Sequence, residues 1–196
     1  MTRLFDFIVS LLALLLLSPL LIIVALIVRI DSKGPILFKQ KRVGRYNCDF
    51  TIYKFRSMQV APTCHQAEDP STPRITQVGK WIRKTKIDEL PQLFNVLKGD
   101  MSIVGPRPLI REQVELYFED YKPILSIRPG LTNNASLLLF NEGEILKKSD
   151  DPQRCLYEEI IPYKIKLNLE YLQKKSFCYD ISLIFKTIAK IFSRKK

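Results

Sequence analysis

The strongest constraint on this chain is a run of apolar residues close to its start. Between Phe7 and Val28 only Ser10 and the pair Ser18–Pro19 interrupt it, and about 20 such residues are what a helix needs to reach across the hydrocarbon of a bilayer. The segment belongs in lipid. It is a poor fit to a cleavable signal, because it runs into Arg29, Ile30 and Asp31 rather than into a small-residue cleavage site. Pro19 removes a backbone donor and crowds the carbonyl four residues back, so the helix is expected to kink or break there, with Ser18 able to offer its hydroxyl to a freed group. Two shapes follow: a kinked spanning helix, or a re-entrant helix–break–helix. Arg3 precedes the segment and Arg29, Lys33, Lys39, Lys41 and Arg42 follow it. Cations therefore claim the cytoplasmic side for both ends, which a hairpin satisfies.

The remaining length bounds the rest. With 196 residues, 46% of them hydrophobic, the chain has material for one catalytic unit and hardly for two. A formal charge of +11 favours anionic partners: nucleic acid, acidic lipid or phosphorylated substrates. Cysteines at 48, 64, 155 and 178 form no CxxC pair, and His65 stands alone, so free thiols are expected and a zinc site is not.

Gly34–Pro35 closes the membrane region. Ile36 to Val43 and Phe50 to Met58 read as strands joined by the turn residues Gly44 to Asn47, a β-hairpin. Alternation puts Lys54 and Arg56 on one sheet face, where two cations call for an anion between them, unless the strand is a solvated edge. Gln59 to Pro73 reads as a polar surface loop or lid. A short basic helix around Trp81 to Lys86 precedes Ile87, Asp88 and Glu89, after which Leu90, Leu93, Phe94 and Leu97 recur helically up to Gly99. Asp88 is placed at the N-cap and Glu89 in the first turn, which is either plain capping or an anion site flanked by Arg83, Lys84 and Lys86. After Gly99–Asp100, Met101 to Val104 reads as a strand, and Gly105-Pro106-Arg107-Pro108 then holds an arginine between two prolines, suited to a bidentate phosphate clamp or to a rigid turn. Arg128-Pro129-Gly130 repeats the theme. Leu109 to Tyr121 and Tyr163 to Lys175 are expected to be amphipathic helices completing an α+β core. After Asp180 a third carries Ile181, Ile184, Phe185, Ile188, Ile191 and Phe192 at helical spacing with lysines between, to lie in the headgroup plane or to pack on the core.

In this order the Ser18–Pro19 segment, Tyr53-Lys54-Phe55-Arg56-Ser57-Met58, Ile87-Asp88-Glu89-Leu90-Pro91-Gln92, Asn95 to Ser102 and Val104-Gly105-Pro106-Arg107-Pro108 resemble the bacterial sugar transferases, the small monotopic polyprenyl-phosphate phosphoglycosyl transferases. The resemblance implies a re-entrant helix–break–helix over 1–33 and a cytoplasmic catalytic domain over 34–196 at the bacterial inner membrane. It implies a double displacement on a UDP-sugar with Mg²⁺, delivering the phosphosugar to undecaprenyl phosphate and releasing UMP, the first membrane step of a surface glycan such as capsule or O-antigen. By position Asp88 matches the nucleophile. Glu89 matches its catalytic partner, and Glu89 and Asp88 match the metal ligands. Lys54, Arg56, Arg83, Arg107 and Arg128 match phosphate-binding cations. Asn133-Asn134-Ala135-Ser136 departs from the usual continuation after Arg128-Pro129-Gly130-Leu131-Thr132, which leaves the sugar open, and Thr72 stands two before Arg74 where an acid is common, which leaves the role of that loop open. Monomer and homodimer are both open. A membrane-anchored phosphohydrolase would use the same chemistry with water as acceptor. A lipid- or nucleic-acid-binding protein would explain the charge, yet it has no need of an acidic pair inside a basic segment, so a nucleic-acid partner is not expected.

Overall fold

A computed structural model describes residues 2–59, 75–139, 145–146 and 148–193. The expected loop from Gln59 to Pro73 falls outside them beyond its first residue, as do Thr72, Arg74 and the Asn141 to Glu144 stretch. The architecture is α+β: helices surround two small sheets.

Helix α1 runs without interruption over Thr2–Asp31 with Pro19 inside it. Pro19 breaks the hydrogen-bond ladder locally and not the element. The carbonyl it deprives is that of Leu15, and the Ser18 hydroxyl donates to that oxygen at 2.8 Å, the repair expected of a serine beside an apolar-segment proline. One face of α1 carries Asp6, Ser10, Leu14, Val24 and Val28, all buried, while Leu11, Leu12, Leu15, Leu16, Ile22, Ile23 and Leu26 are exposed.

Both ends of this helix are fastened to the same body. At the start, Arg3 Nη2 donates to the Leu97 carbonyl at 2.7 Å. Asp6 accepts from Ser102 Oγ and from the Ile103 amide. At the other end Val24 and Val28 pack with Phe55 and Ile82, a cluster in which each fully buried large side chain contributes about 1.5–3 kcal/mol. There Arg56 donates to the carbonyls of Val28, Ser32 and Pro35 and to Ser32 Oγ. The last carbonyls of a helix lack intrahelical donors, and a buried guanidinium supplies them. This corrects the expectation that Arg56 faces an anion with Lys54. Strand β2 ends at Phe55, so strand alternation no longer applies to Arg56, which turns toward α1.

The hairpin is present as β1 (Leu37–Val43) and β2 (Asp49–Phe55), antiparallel, with Leu37 opposite Phe55 and Val43 opposite Asp49. Opposite residues share a face, so Phe38, Gln40 and Arg42 line up with Lys54, Ile52 and Phe50. Helix α2 (Gln77–Lys84) is capped by Thr76, whose hydroxyl accepts from the Gly79 amide. A 3-10 turn, Ile87–Gln92, leads into α3 (Leu93–Lys98). A second sheet pairs β3 (Ser102–Val104), the strand expected over Met101 to Val104, in parallel with β4 (Gly130–Thr132), which period counting does not reveal. It brings the loops of Arg107 and Arg128 together: a Cβ on Gly130 would lie 2.1 Å from the Gly105 amide nitrogen.

The helix expected over Leu109 to Tyr121 is divided into α4 (Arg111–Leu116) and α5 (Phe118–Tyr121) by the non-helical Tyr117. Past β4, Asn133 caps the short α6 (Asn134–Leu138) by accepting from the Ser136 amide. A turn at Pro152–Arg154 and a π-helical stretch, Cys155–Ile160, open into α7 (Ile161–Lys174), and α8 (Phe177–Ser193) ends the described chain. Helix α8 buries Leu183 against β3 and turns Phe185 and Ile188 outward beside Lys186 and Lys190. It thus packs on the core and keeps an apolar outer face.

Candidate active site

Asp88 and Glu89 sit in the 3-10 turn, entered through Lys86 in the left-handed region at φ 60°. A non-glycine residue there is strained by roughly 1 kcal/mol or more, a feature common at functional sites. Asp88 does not cap a helix, which corrects the N-cap expectation: it makes no hydrogen bond among the described residues, and its buried Oδ1 has no partner. Pro91, three residues on, lacks the N–H that an N-cap carboxylate at 88 would use. Asp88 is only 7% exposed. Burial, with Glu89 adding to it, pushes its carboxyl above the ordinary range, against the opposing pull of Lys54, Lys86 and Arg83.

Glu89 has the opposite environment. Its Oε1 accepts from Lys54 Nζ at 2.9 Å and from Arg107 Nη2, and its Oε2 accepts from Arg107 Nη1 at 3.3 Å. Burial would raise its carboxyl, but Arg107 and Lys54 outweigh it and hold Glu89 well below the usual carboxylate range. Side-chain exposures of 15% for Glu89 and 20% for Lys54 keep this pair largely out of water, while Arg107, at 38%, reaches the rim. Desolvation and the neighbouring Arg107 lower the Lys54 ammonium.

The scaffold explains the convergence. Asn95 on α3 is wholly buried; its Nδ2 donates to the Thr51 carbonyl at 2.7 Å and its Oδ1 accepts from the Tyr53 amide at 3.2 Å. That fixes the strand bearing Lys54 against the helix that follows Glu89. Tyr121 donates its hydroxyl to the Arg107 carbonyl at 3.2 Å, steadying the Gly105 to Pro108 loop.

Of the cations singled out from the sequence, Lys54 and Arg107 reach Glu89, and Arg83 is exposed on α2 near enough for its charge to act on Asp88. Arg56 anchors α1. Arg128 gives its Nε to the Gly99 carbonyl at 2.8 Å, beyond the far end of α3 from Asp88. Two residues were passed over. Arg42 lies on the Lys54 face of the hairpin with a buried Nε that has no partner, and Gln92 is buried four residues after Asp88 with a partnerless Nε2. Strand alternation in β1 marks Arg42; nothing in the sequence marks Gln92.

The chain thus joins one apolar helix long enough to cross a membrane, held at both ends by a small domain, to a carboxylate pair set among cations. The profile of the family described as bacterial sugar transferase matches residues 1–194. The chain belongs to the bacterial sugar transferase family. Among its relatives, the undecaprenyl-phosphate glucose phosphotransferase of Komagataeibacter xylinus is 41% identical over 98% of this chain and 36% of that protein. The UDP-glucose:undecaprenyl-phosphate glucose-1-phosphate transferase of Escherichia coli K12 is 36% identical over 97% of this chain and 40% of its own length. The exopolysaccharide production protein PSS of Rhizobium leguminosarum bv. phaseoli is 38% identical over 99% of this chain and 96% of its own. The chain spans about two fifths of the length of the first two.

Proposed function

We propose that this protein moves a sugar 1-phosphate from a UDP-sugar to undecaprenyl phosphate at the bacterial inner membrane, releasing UMP and beginning a surface glycan. The observation that carries this reading is Asp88: a buried carboxylate with an unpartnered oxygen, set among Lys54, Lys86 and Arg83 in a chain whose relatives are named for this transfer.

In the first displacement an Asp88 oxygen attacks the phosphorus that bears the sugar, the bond to UMP breaks, and an aspartyl phosphosugar forms. In the second a phosphate oxygen of undecaprenyl phosphate attacks the same phosphorus, which frees Asp88 and yields the undecaprenyl-diphosphate sugar. A carboxylate approaching a diphosphate meets like charge, and the cations on Lys54, Arg83 and Arg107 offset it. Desolvation helps, since a carboxylate without hydrogen bonds has no donors to shed before it attacks.

Two donor positions suit Mg²⁺. Asp88 Oδ1 is unpartnered, and Glu89 Oε2 takes one hydrogen bond, leaving a lone pair, whereas Oε1 has both lone pairs engaged. No cluster of three metal-ligating side chains occurs among the described residues, which fits a cation held by one or two carboxylates together with substrate phosphates and water. When bound, Mg²⁺ neutralises diphosphate charge and polarises its oxygens.

A re-entrant membrane segment over 1–33 and a cytoplasmic unit over 34–196 remain the reading here, although α1 is one helix rather than a helix–break–helix. A straight helix of 30 residues is about 45 Å long, enough to cross a bilayer. Arg3, Asp6, Val24 and Val28 all hold one body, which supports a placement of both ends on the side of that body. The outward Phe185 and Ile188 of α8 suit the headgroup layer, with Lys186 and Lys190 toward anionic lipid.

The test is UMP release by detergent-purified protein and its Asp88→Asn variant with Mg²⁺, undecaprenyl phosphate and a panel of UDP-sugars. One sugar should release UMP only with the lipid acceptor, and the variant should be inactive. Lipid-independent release would point to a hydrolase, and an active variant would remove Asp88 as nucleophile.

A further inference from the structure

Arg42 is a half-buried cation that no carboxylate among the described residues holds in a salt bridge. Its Nη2 donates to the neutral Gln40 side chain at 2.7 Å, and its Nε is buried and unpartnered. Its place is set by the backbone. Arg42 shares the Lys54 face of the hairpin, and the next residue, Val43, donates its amide to the Leu109 carbonyl at 3.0 Å, which seats this end of β1 beside the Arg107 loop. Arg107 is near enough that the two guanidiniums repel: burial first, then Arg107, lowers the Arg42 guanidinium to about 10, against the pull of Glu89.

Glu89 is shared between Lys54 and Arg107, Asp88 answers Lys54 and Arg83 from a distance, and Arg42 adds a partly desolvated cation that, among the described residues, neither carboxylate hydrogen-bonds. A partly desolvated excess of one sign destabilises a fold unless a ligand supplies the other sign. We propose that Arg42 is an anion-binding residue of this site, turning its partnerless Nε–H toward a diphosphate oxygen of the nucleotide donor, with Gln40 holding the guanidinium plane. This deepens the proposed function and rests on it for the identity of the anion as a nucleoside diphosphate. Guanidinium suits the role because it stays charged when desolvated and presents its donors in a fixed fork.

The experiment uses the full chain in detergent, with UDP and inorganic pyrophosphate as probes, each with Mg²⁺. Affinity is read by calorimetry and the thermal midpoint by melting, for wild type, Arg42→Met and Arg42→Lys. Arg42→Met should bind both probes roughly tenfold or more weakly, the loss of one hydrogen bond to a charged group. Its ligand-free midpoint should equal or exceed that of wild type, because the unanswered charge is gone. Arg42→Lys should keep the midpoint and bind at an intermediate level. A lowered midpoint in Arg42→Met, or its failure to fold, would make Arg42 a structural residue and overturn the proposal, as would wild-type affinity for both probes. Wild-type binding of pyrophosphate but not UDP would leave Arg42 testable through pyrophosphate while removing the uridine donor. Binding of neither would overturn both readings.

Discussion

Asp88 and Glu89 are adjacent in sequence and opposite in environment, and their substitutions should part accordingly. Burial works against a charge on Asp88, so Asp88→Asn should leave the thermal midpoint unchanged or higher while transfer is lost. Glu89→Gln should instead destabilise by about 1–3 kcal/mol, because Lys54 and Arg107 lose their counterion; the partial exposure of Arg107 keeps this below the cost of breaking a fully buried pair. Thermal melts of the two variants check both. The pH dependence has definite signs. Asp88, raised by burial, must be deprotonated to attack, so kcat/KM should fall on the acid side at an apparent pKa above the ordinary aspartate value of about 3.9. Glu89, held low, contributes stability above its unfolded pKa and loses it as pH falls toward the folded value; Asp88 contributes the reverse, easing the fold as it takes up a proton. At this scale the sequence marked Asp88, Glu89, Lys54 and Arg107 through motif order. It misplaced Arg56 because alternation was carried one residue past the strand, and it could not reveal the empty hydrogen-bonding positions of Asp88, Arg42 and Gln92, which exist only once the surroundings are packed.

Among the elements, the parallel β3–β4 pair holds the site's loops together through backbone approach rather than side chains. Gly130→Ala would drive a methyl group into the Gly105 backbone. It should destabilise by about 3 kcal/mol or more, the upper end of overpacking, with transfer falling alongside. A denaturant melt compared with that of a glycine in a looser setting checks this. The hairpin, α2 and α7 were legible because alternation or helical spacing runs through each of them. The strand expected over Met101 to Val104 is present as β3, whereas β4, three residues beside Pro129, carries no period, so its parallel pairing with β3 left no trace. The division of the helix expected over 109–121 at Tyr117 was invisible for a related reason: Val114 and Tyr121 keep helical spacing across a residue that is not helical.

For the whole molecule the decisive relation is between α1 and everything after it. In inverted membrane vesicles, cysteines placed singly at Thr2 and Lys33 in a cysteine-free background should both react with an impermeant maleimide, and neither should react in intact cells. Reaction on opposite sides would establish a spanning helix. Composition disclosed the apolar segment and its two candidate shapes, but the contacts that bear on the choice, such as Arg3 to Leu97 and Arg56 to Ser32, are long-range ones that no local pattern encodes. Those contacts make the attachment of α1 bivalent. When the anchor at one end lets go, the other keeps the freed end at high effective concentration, and it returns before the helix can leave. Losing Asp6 or Arg56 alone should loosen α1 only a little, and losing both should release it far more than the two single effects combined.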